Sequence, residues 1–200
     1  MKEEDEGKRE YRMVARADAT AATRARIMES TGALLWRSGG DGFSLEDVAR
    51  DAATTVQTVL RHFGSKEGLI EATVRYGGEL VIDERGRAPI GDVRGAVQNL
   101  IEHYERYGDV VIRMLAEEHR SPFMLELTER GRQLHREWVK RTFAPQLKGL
   151  RGAVCNRRVA QLVVVCDVYV WKLFRRDMDM NVGQTEAAVV ELIERLVATE

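Results

Sequence analysis

The stretch from Ser44 to Leu69, "SLEDVARDAATTVQTVLRHFGSKEGL", holds two amphipathic runs, each too short to persist as a helix alone. Ser44 can cap the first, with Asp47 at the acidic third position, and that helix should end near Arg50 or Asp51. Thr55 can cap the second, Val56 to Phe63, and the Gly64-Ser65 pair should end it and cap a fourth helix. Such short helices survive only by packing on each other and on a third element. The residues from Asp18 to Ser38 supply one, with Ile27, Leu34 and Leu35 as its apolar stripe and "GGDG" at 39–42 as its stop.

Two short helices joined by a tight turn make a helix-turn-helix, whose second helix can enter a DNA major groove. Ala49, Ala52 and Ala53 are small enough for the backbones to approach at the turn. If Val59 and Phe63 face inward, then Val56, Gln57, Leu60 and Arg61 face outward. Gln57 can pair with an adenine edge, Arg61 with guanine, and Leu60 can touch a thymine methyl. Thr55, Thr58, His62 and Lys66 suit phosphates. The same side chains would also suit the solvated face of an ordinary bundle.

Beyond this stretch, apolar residues recur at helical spacing and no run alternates cleanly, so an all-α chain of about nine helices is expected. Residues 1–17 read as a charged, flexible arm, 18–76 as the helix-turn-helix domain with its recognition helix at about 55–63, and 77–200 as a larger helical domain. In that second domain helices are expected near 92–107, 109–119, 122–148, 156–177 and 185–198, with Pro145 bending or ending the third of them. The net charge of −1 hides an uneven distribution. From Lys8 to Arg26 six basic residues face two acidic ones, and from Thr54 to Lys66 there is no acid. No stretch reaches the roughly 18 apolar residues of a membrane span, and the acidic N-terminus is no signal peptide, so a cytoplasmic protein is expected. Cys155 and Cys166 read as reduced thiols, the second in the core.

Catalysis and metal binding are not expected. None of His103, His119 and His135 has a glutamate three positions before it, as a di-iron bundle requires. Hydrolase, phosphate-loop and zinc-protease motifs are absent, so neither metal nor cofactor is assigned. The helix expected over 156–177 is apolar round most of its circumference and must bury two sides. One can face its own domain and the other a second copy. Val164 and Tyr169, with Leu192 and Leu196 on the last helix, are candidates for that interface, although a central helix of a monomer would look similar. Tyr104, Tyr107, Met114, Phe123, Met124 and Trp138 could be plain core or could line an apolar cavity.

The segment "FSLEDVARDAATTVQTVLRHFGSKEGLIEATV" resembles the N-terminal domain of the TetR family of one-component bacterial repressors, over about residues 20–76. Two positions depart from it: Ala53 stands where the family usually has glycine, and Leu60 where it usually has a phosphate-contacting tyrosine. Alanine at the turn suggests a less demanding backbone angle or slight strain. The resemblance implies a homodimer on a double-stranded DNA operator, dimerisation through the last two long helices, and a small effector in the C-terminal domain. Control by a protein partner, without such a ligand, is the alternative.

Overall fold

The computed structural model describes residues 2–38, 42–120 and 122–198, without the side chains of 2–14, Trp36, Ser38 and Arg120. No strand occurs among the described residues, and none of their helices is long and apolar enough to cross a membrane. The chain forms two compact units, Met1–Gly78 and Glu79–Glu200.

The first unit contains α1 (Lys2–Ser38), α2 (Leu45–Asp51), α3 (Val56–Phe63) and the start of α4 (Lys66–Gly86). Its core is built from Ile27 and Leu35 of α1, Phe43, Val48, Ala49 and Ala52 around α2, Val59 of α3 and Leu69 of α4. Helix α1 starts at Lys2, whereas residues 1–17 were expected as a flexible arm. The acidic residues near its beginning suit the positive end of a helix dipole, and Glu, Lys, Arg and Ala are good helix formers. The side chains of Lys8, Arg9 and Arg12, and Gly39, Gly40 and Asp41 of the expected stop, lie outside the described residues.

The second unit adds α5 (Val93–Glu117), α6 (Pro122–Thr142), α7 (Ala144–Leu147), α8 (Gly152–Val165), α9 (Val168–Lys172) and α10 (Val182–Val197). The helices expected at 92–107 and 109–119 are one, because Gly108 does not interrupt α5. Gly108 is there to admit an indole: a Cβ on it would lie 2.4 Å from the Trp171 ring. The long helix expected over 122–148 stops at Thr142, and Pro145 sits inside the single turn α7.

The largest departure concerns 156–177. It is α8, then a break at Cys166 and Asp167, then α9, then a π turn over Leu173–Asp177. The Asp167 carboxylate accepts the Tyr169 N–H at 2.9 Å and caps α9, so a short polar side chain competes with the helix ladder. The Asp167 N–H turns back to the Val164 carbonyl, leaving the carbonyls of Val163 and Cys166 to be matched elsewhere. His135 Nε2 donates to Val163 O at 3.1 Å, and the Tyr104 hydroxyl donates to Cys166 O at 3.0 Å. The core closes round this break, with Leu100, Ile101, Tyr104, Trp138, Phe143, Leu162, Cys166, Trp171 and Ile193 among its buried members.

His135 must be neutral to play this part. Its Nε2 carries the proton given to Val163, so Nδ1 accepts from the Arg85 guanidinium at 3.2 and 3.3 Å. Burial, then the neighbouring Arg85, push its pKa down from 6.5 to about 4, Arg136 acting the same way against the opposing Val163 carbonyl and Asp167. The unfolded chain therefore takes up this proton before the folded one does. The contribution is complete above pH 6.5 and is lost as pH falls toward about 4, at roughly 1.4 kcal/mol per pH unit. Urea midpoints at pH 7 and pH 5 should show that loss, and His135→Gln should reduce it, leaving the share of His103, whose pKa burial pushes down to about 3.

Candidate functional site

Helix α2 starts at a complete capping box. The Ser44 hydroxyl accepts the Asp47 N–H at 3.1 Å, and the Asp47 carboxylate accepts the Ser44 N–H at 2.9 Å. The Ser44 hydroxyl also donates to that carboxylate at 2.7 Å, and Arg50 pairs with it. These hydrogen bonds, the Ser44 hydroxyl's first, hold the Asp47 carboxyl down to about 2. The turn to α3 passes through Ala53 at φ +48°, and the Thr54 N–H reaches back to the Ala49 carbonyl at 2.8 Å. Thr55 then caps α3 by accepting the Thr58 N–H at 3.2 Å.

Ala53 thus occupies the left-handed region that favours glycine, and of its two expected readings the strained one holds. A left-handed alanine costs about 1–2 kcal/mol, and glycine loses about 0.5–1 kcal/mol more entropy on folding. Ala53→Gly should therefore stabilise the first unit by about 0.5–1 kcal/mol. Ala53 is exposed, so little packing is lost. Thermal denaturation checks this, and a lowered midpoint would mean that the strain lies elsewhere.

Two α1 arginines, counted in the sequence only as part of a basic segment, fix the reader from behind. Arg26 Nε donates to the Ala52 carbonyl at 3.4 Å, at the turn. Arg24 donates to the His62 carbonyl at 3.0 Å and lies 4.4 Å over the Phe63 ring, at the end of α3. No local motif announces these contacts, which join residues far apart in the chain. Gly64 ends α3 at φ +79°, and the Ser65 hydroxyl accepts the Gly68 N–H at 3.1 Å to start α4. Gly68 permits a close approach, since a Cβ there would lie 2.4 Å from the Phe63 carbonyl oxygen.

On α3, Val59 is fully buried while Gln57, Leu60 and Arg61 are exposed. Positions 57, 60 and 61 share one helix face, so one apolar side chain and two that are able to pair with base edges project together. Val56 differs from its expected outward position: it is half-buried and packs on the core of the first unit, where burial of an apolar side chain outweighs a place on the outer face. Thr55 is exposed at the rim, while Thr58, His62 and Lys66 are half-buried. The Lys66 ammonium lies 4.7 Å over the Phe43 ring.

The residues considered for an effector cavity do not share one environment. Tyr104 and Trp138 belong to the buried core, and Trp138 Nε1 donates to the Arg85 carbonyl at 2.9 Å. Tyr107 is exposed beside the His103 ring, Phe123 is exposed, Met114 is half-buried, and Met124 is buried on α6 outside that core cluster. The dimer candidates share more. Val164 is 63% exposed, Tyr169 and Leu192 are exposed, and Val164 and Leu196 border one shallow apolar groove with Ala160 and Val165.

Residues 27–73 match the family model described as bacterial regulatory proteins, tetR family. No curated protein matches the chain. Among solved structures, a TetR-family transcriptional regulator from Rhodococcus sp. is 15% identical, with a TM-score of 0.63 over 88% of this chain and all of its own. A transcriptional regulator from Rhodococcus sp. Rha1 is 18% identical, with a TM-score of 0.64 over 87% of this chain and 95% of its own. AibR, solved with isovaleryl coenzyme A and operator DNA, is 18% identical, with a TM-score of 0.57 over 86% of this chain and 97% of its own. These likenesses concern the fold. The family match identifies residues 27–73, the segment that holds the helix-turn-helix, as the N-terminal domain of the tetR family of bacterial regulatory proteins.

Proposed function

We propose that the protein is a repressor that binds a near-palindromic operator as a homodimer, with α3 in the major groove. One observation carries the reading: Gln57, Leu60 and Arg61 project together from a helix clamped at its start by Thr55 and at its end by Arg24. Gln57, Arg61 and Leu60 are the base contacts, and Thr55, Thr58, His62 and Lys66 are the phosphate contacts. Footprinting of the region upstream of the chain's own gene tests this. Protection of two half-sites about one helical turn apart is expected. Protection without sequence preference would refute it. Such a regulator works in the cytoplasm, where its DNA is.

The proposed dimer surface is the exposed face of α8 and α10 around Val164, Leu192 and Leu196, with Tyr169 beside it on α9. Their exposure in a single chain supports this, since apolar groups on two adjoining helices gain by mutual burial. Val164→Arg should leave the protomer folded, because the site is open, and should shift sedimentation from dimer to monomer. A wild-type monomer at micromolar concentration would refute the dimer.

The repressor is further proposed to respond to a small, largely apolar effector in the Glu79–Glu200 unit. AibR was solved with isovaleryl coenzyme A and operator DNA on a similar fold, which supports the idea by likeness of fold. An effector must bind one state of the regulator more tightly, and a coupling of about 1–3 kcal/mol would be typical. A second reading, control by a protein partner, draws on the burial of Tyr104 and Trp138 in the core. Calorimetry of an effector with and without operator separates the two.

A further inference from the structure

Arg85, on the last turn of α4, is buried in the Glu79–Glu200 unit and has no carboxylate within ion-pair distance among the described residues. It stands out because the other arginine–carboxylate contacts of this unit are conventional. Arg106 pairs with Glu84, Arg175 with Glu105 and Arg176 with Asp109, all at the surface or its edge. An arginine does not shed its proton, so a buried one needs compensation. Here both terminal nitrogens approach Nδ1 of His135, the Tyr104 hydroxyl is a further hydrogen-bond partner of the guanidinium, and Nε is buried without a partner. A fork shaped for a carboxylate thus has only neutral partners, and one of its nitrogens has none.

Aromatic rings wall the rest of the guanidinium. The guanidinium carbon lies 4.2 Å from the Trp138 ring centre and 5.9 Å from that of Tyr104. The Cys166 thiol is buried nearby and, its pKa pushed up to about 12 by burial, stays neutral. His135 is neutral as well, and the second cation at the cluster, Arg141, which donates to the Arg85 carbonyl at 3.0 Å, adds to the positive charge, with no carboxylate in contact with the guanidinium. The chain has therefore kept a buried cation where methionine or leucine would pack without charge, a cost that natural proteins commonly meet at functional sites.

We propose that Arg85 is the anion-recognising group of the effector site, taking the carboxylate of a small apolar acid across Nε and a terminal nitrogen, with Trp138 and Tyr104 against its apolar part. This rests on the effector reading above and gives it a chemical class. The carboxylate would satisfy the open Nε and share the fork now held by His135 Nδ1. Arg85 lies on the helix that begins at Lys66, so an acid bound there acts on an element of which both units are built.

The test uses the full chain with butyrate, hexanoate and octanoate, each paired with the alcohol of equal length, followed by thermal denaturation. At least one acid should raise the midpoint, and its alcohol should not. Arg85→Met should lower affinity for that acid about ten- to a hundredfold, as loss of a charged hydrogen-bond pair does. Without ligand, Arg85→Met should be more stable than wild type, because it removes an uncompensated charge. Arg85→Lys, which keeps the charge but not the fork, should bind the acid more weakly than wild type.

The proposal is overturned if no acid outperforms its alcohol, if Arg85→Met keeps the difference, or if ligand-free Arg85→Met is the less stable protein. Gel shifts with operator DNA separate this from the reading beneath it. If alcohols stabilise as well as acids and alter operator affinity, the effector reading survives and the role of Arg85 falls. If an acid binds through Arg85 but operator affinity is unchanged, the site stands and the coupling falls.

Discussion

Gly108→Ala should destabilise the Glu79–Glu200 unit by about 3 kcal/mol, the upper end of what overpacking usually costs. The added methyl would meet three atoms of the Trp171 ring at 2.4, 2.6 and 2.8 Å. The indole cannot swing away cheaply. It is 1% exposed, and its Nε1 donates to Glu105 at 2.7 Å. Glu105 is in turn held by Arg175 from the π turn, whose hydrogen bond, more than any other contact, lowers the carboxyl's pKa. Moving Trp171 therefore disturbs α5, α9 and the π turn together. Gly131→Ala is the control, because Gly131 is also inside a helix but nothing lies within 4 Å of its would-be Cβ. There alanine should stabilise by about 0.5–1 kcal/mol, through helix propensity alone. Urea midpoints of the two variants should move in opposite directions. Equal shifts would mean that the Trp171 contact is not what makes Gly108 necessary.

The second large effect is on operator recognition. Gln57→Ala and Arg61→Ala should each weaken the preferred site by about 1–3 kcal/mol, or roughly 5- to 150-fold, and random DNA little. Both side chains are exposed, so the fold should tolerate the changes. Lys66→Ala should behave otherwise: it should weaken all sequences alike and flatten the salt dependence by about one unit. Its ammonium sits over the Phe43 ring, so some loss of reader stability should accompany the loss of charge. Titrations of operator and random duplexes at several salt concentrations distinguish the two patterns. Normal operator binding by both the Gln57 and Arg61 variants would move the reading face away from α3.

The reader was legible because its signals are local. Ser44 with Asp47, Thr55 with Thr58, and Gly64 followed by Ser65 each fix a helix end within a few residues, and the structure places them as the spacing requires. Tertiary packing overrode the same local reasoning at Val56, which core burial turned inward. It also left Ala53 at positive φ, because the turn between two short helices dictates the angle whatever residue stands there. The contacts of Arg24 and Arg26 span 38 and 26 residues, a distance over which no periodicity or cap carries information.

In the second unit the helical period was enough to give the class and most of the elements, since apolar spacing is a property of the chain itself. Where the helices stop was decided elsewhere. Asp167 can cap a new helix only because His135 and Tyr104, from α6 and α5, take up the carbonyls that the break releases. Without those two donors the buried carbonyls would be unmatched, and an unbroken helix over 156–177 would be the lower-energy choice. Gly108 carries the same lesson in reverse. In sequence it reads as a helix end, and only the indole brought against it by the fold makes it a necessary position inside one.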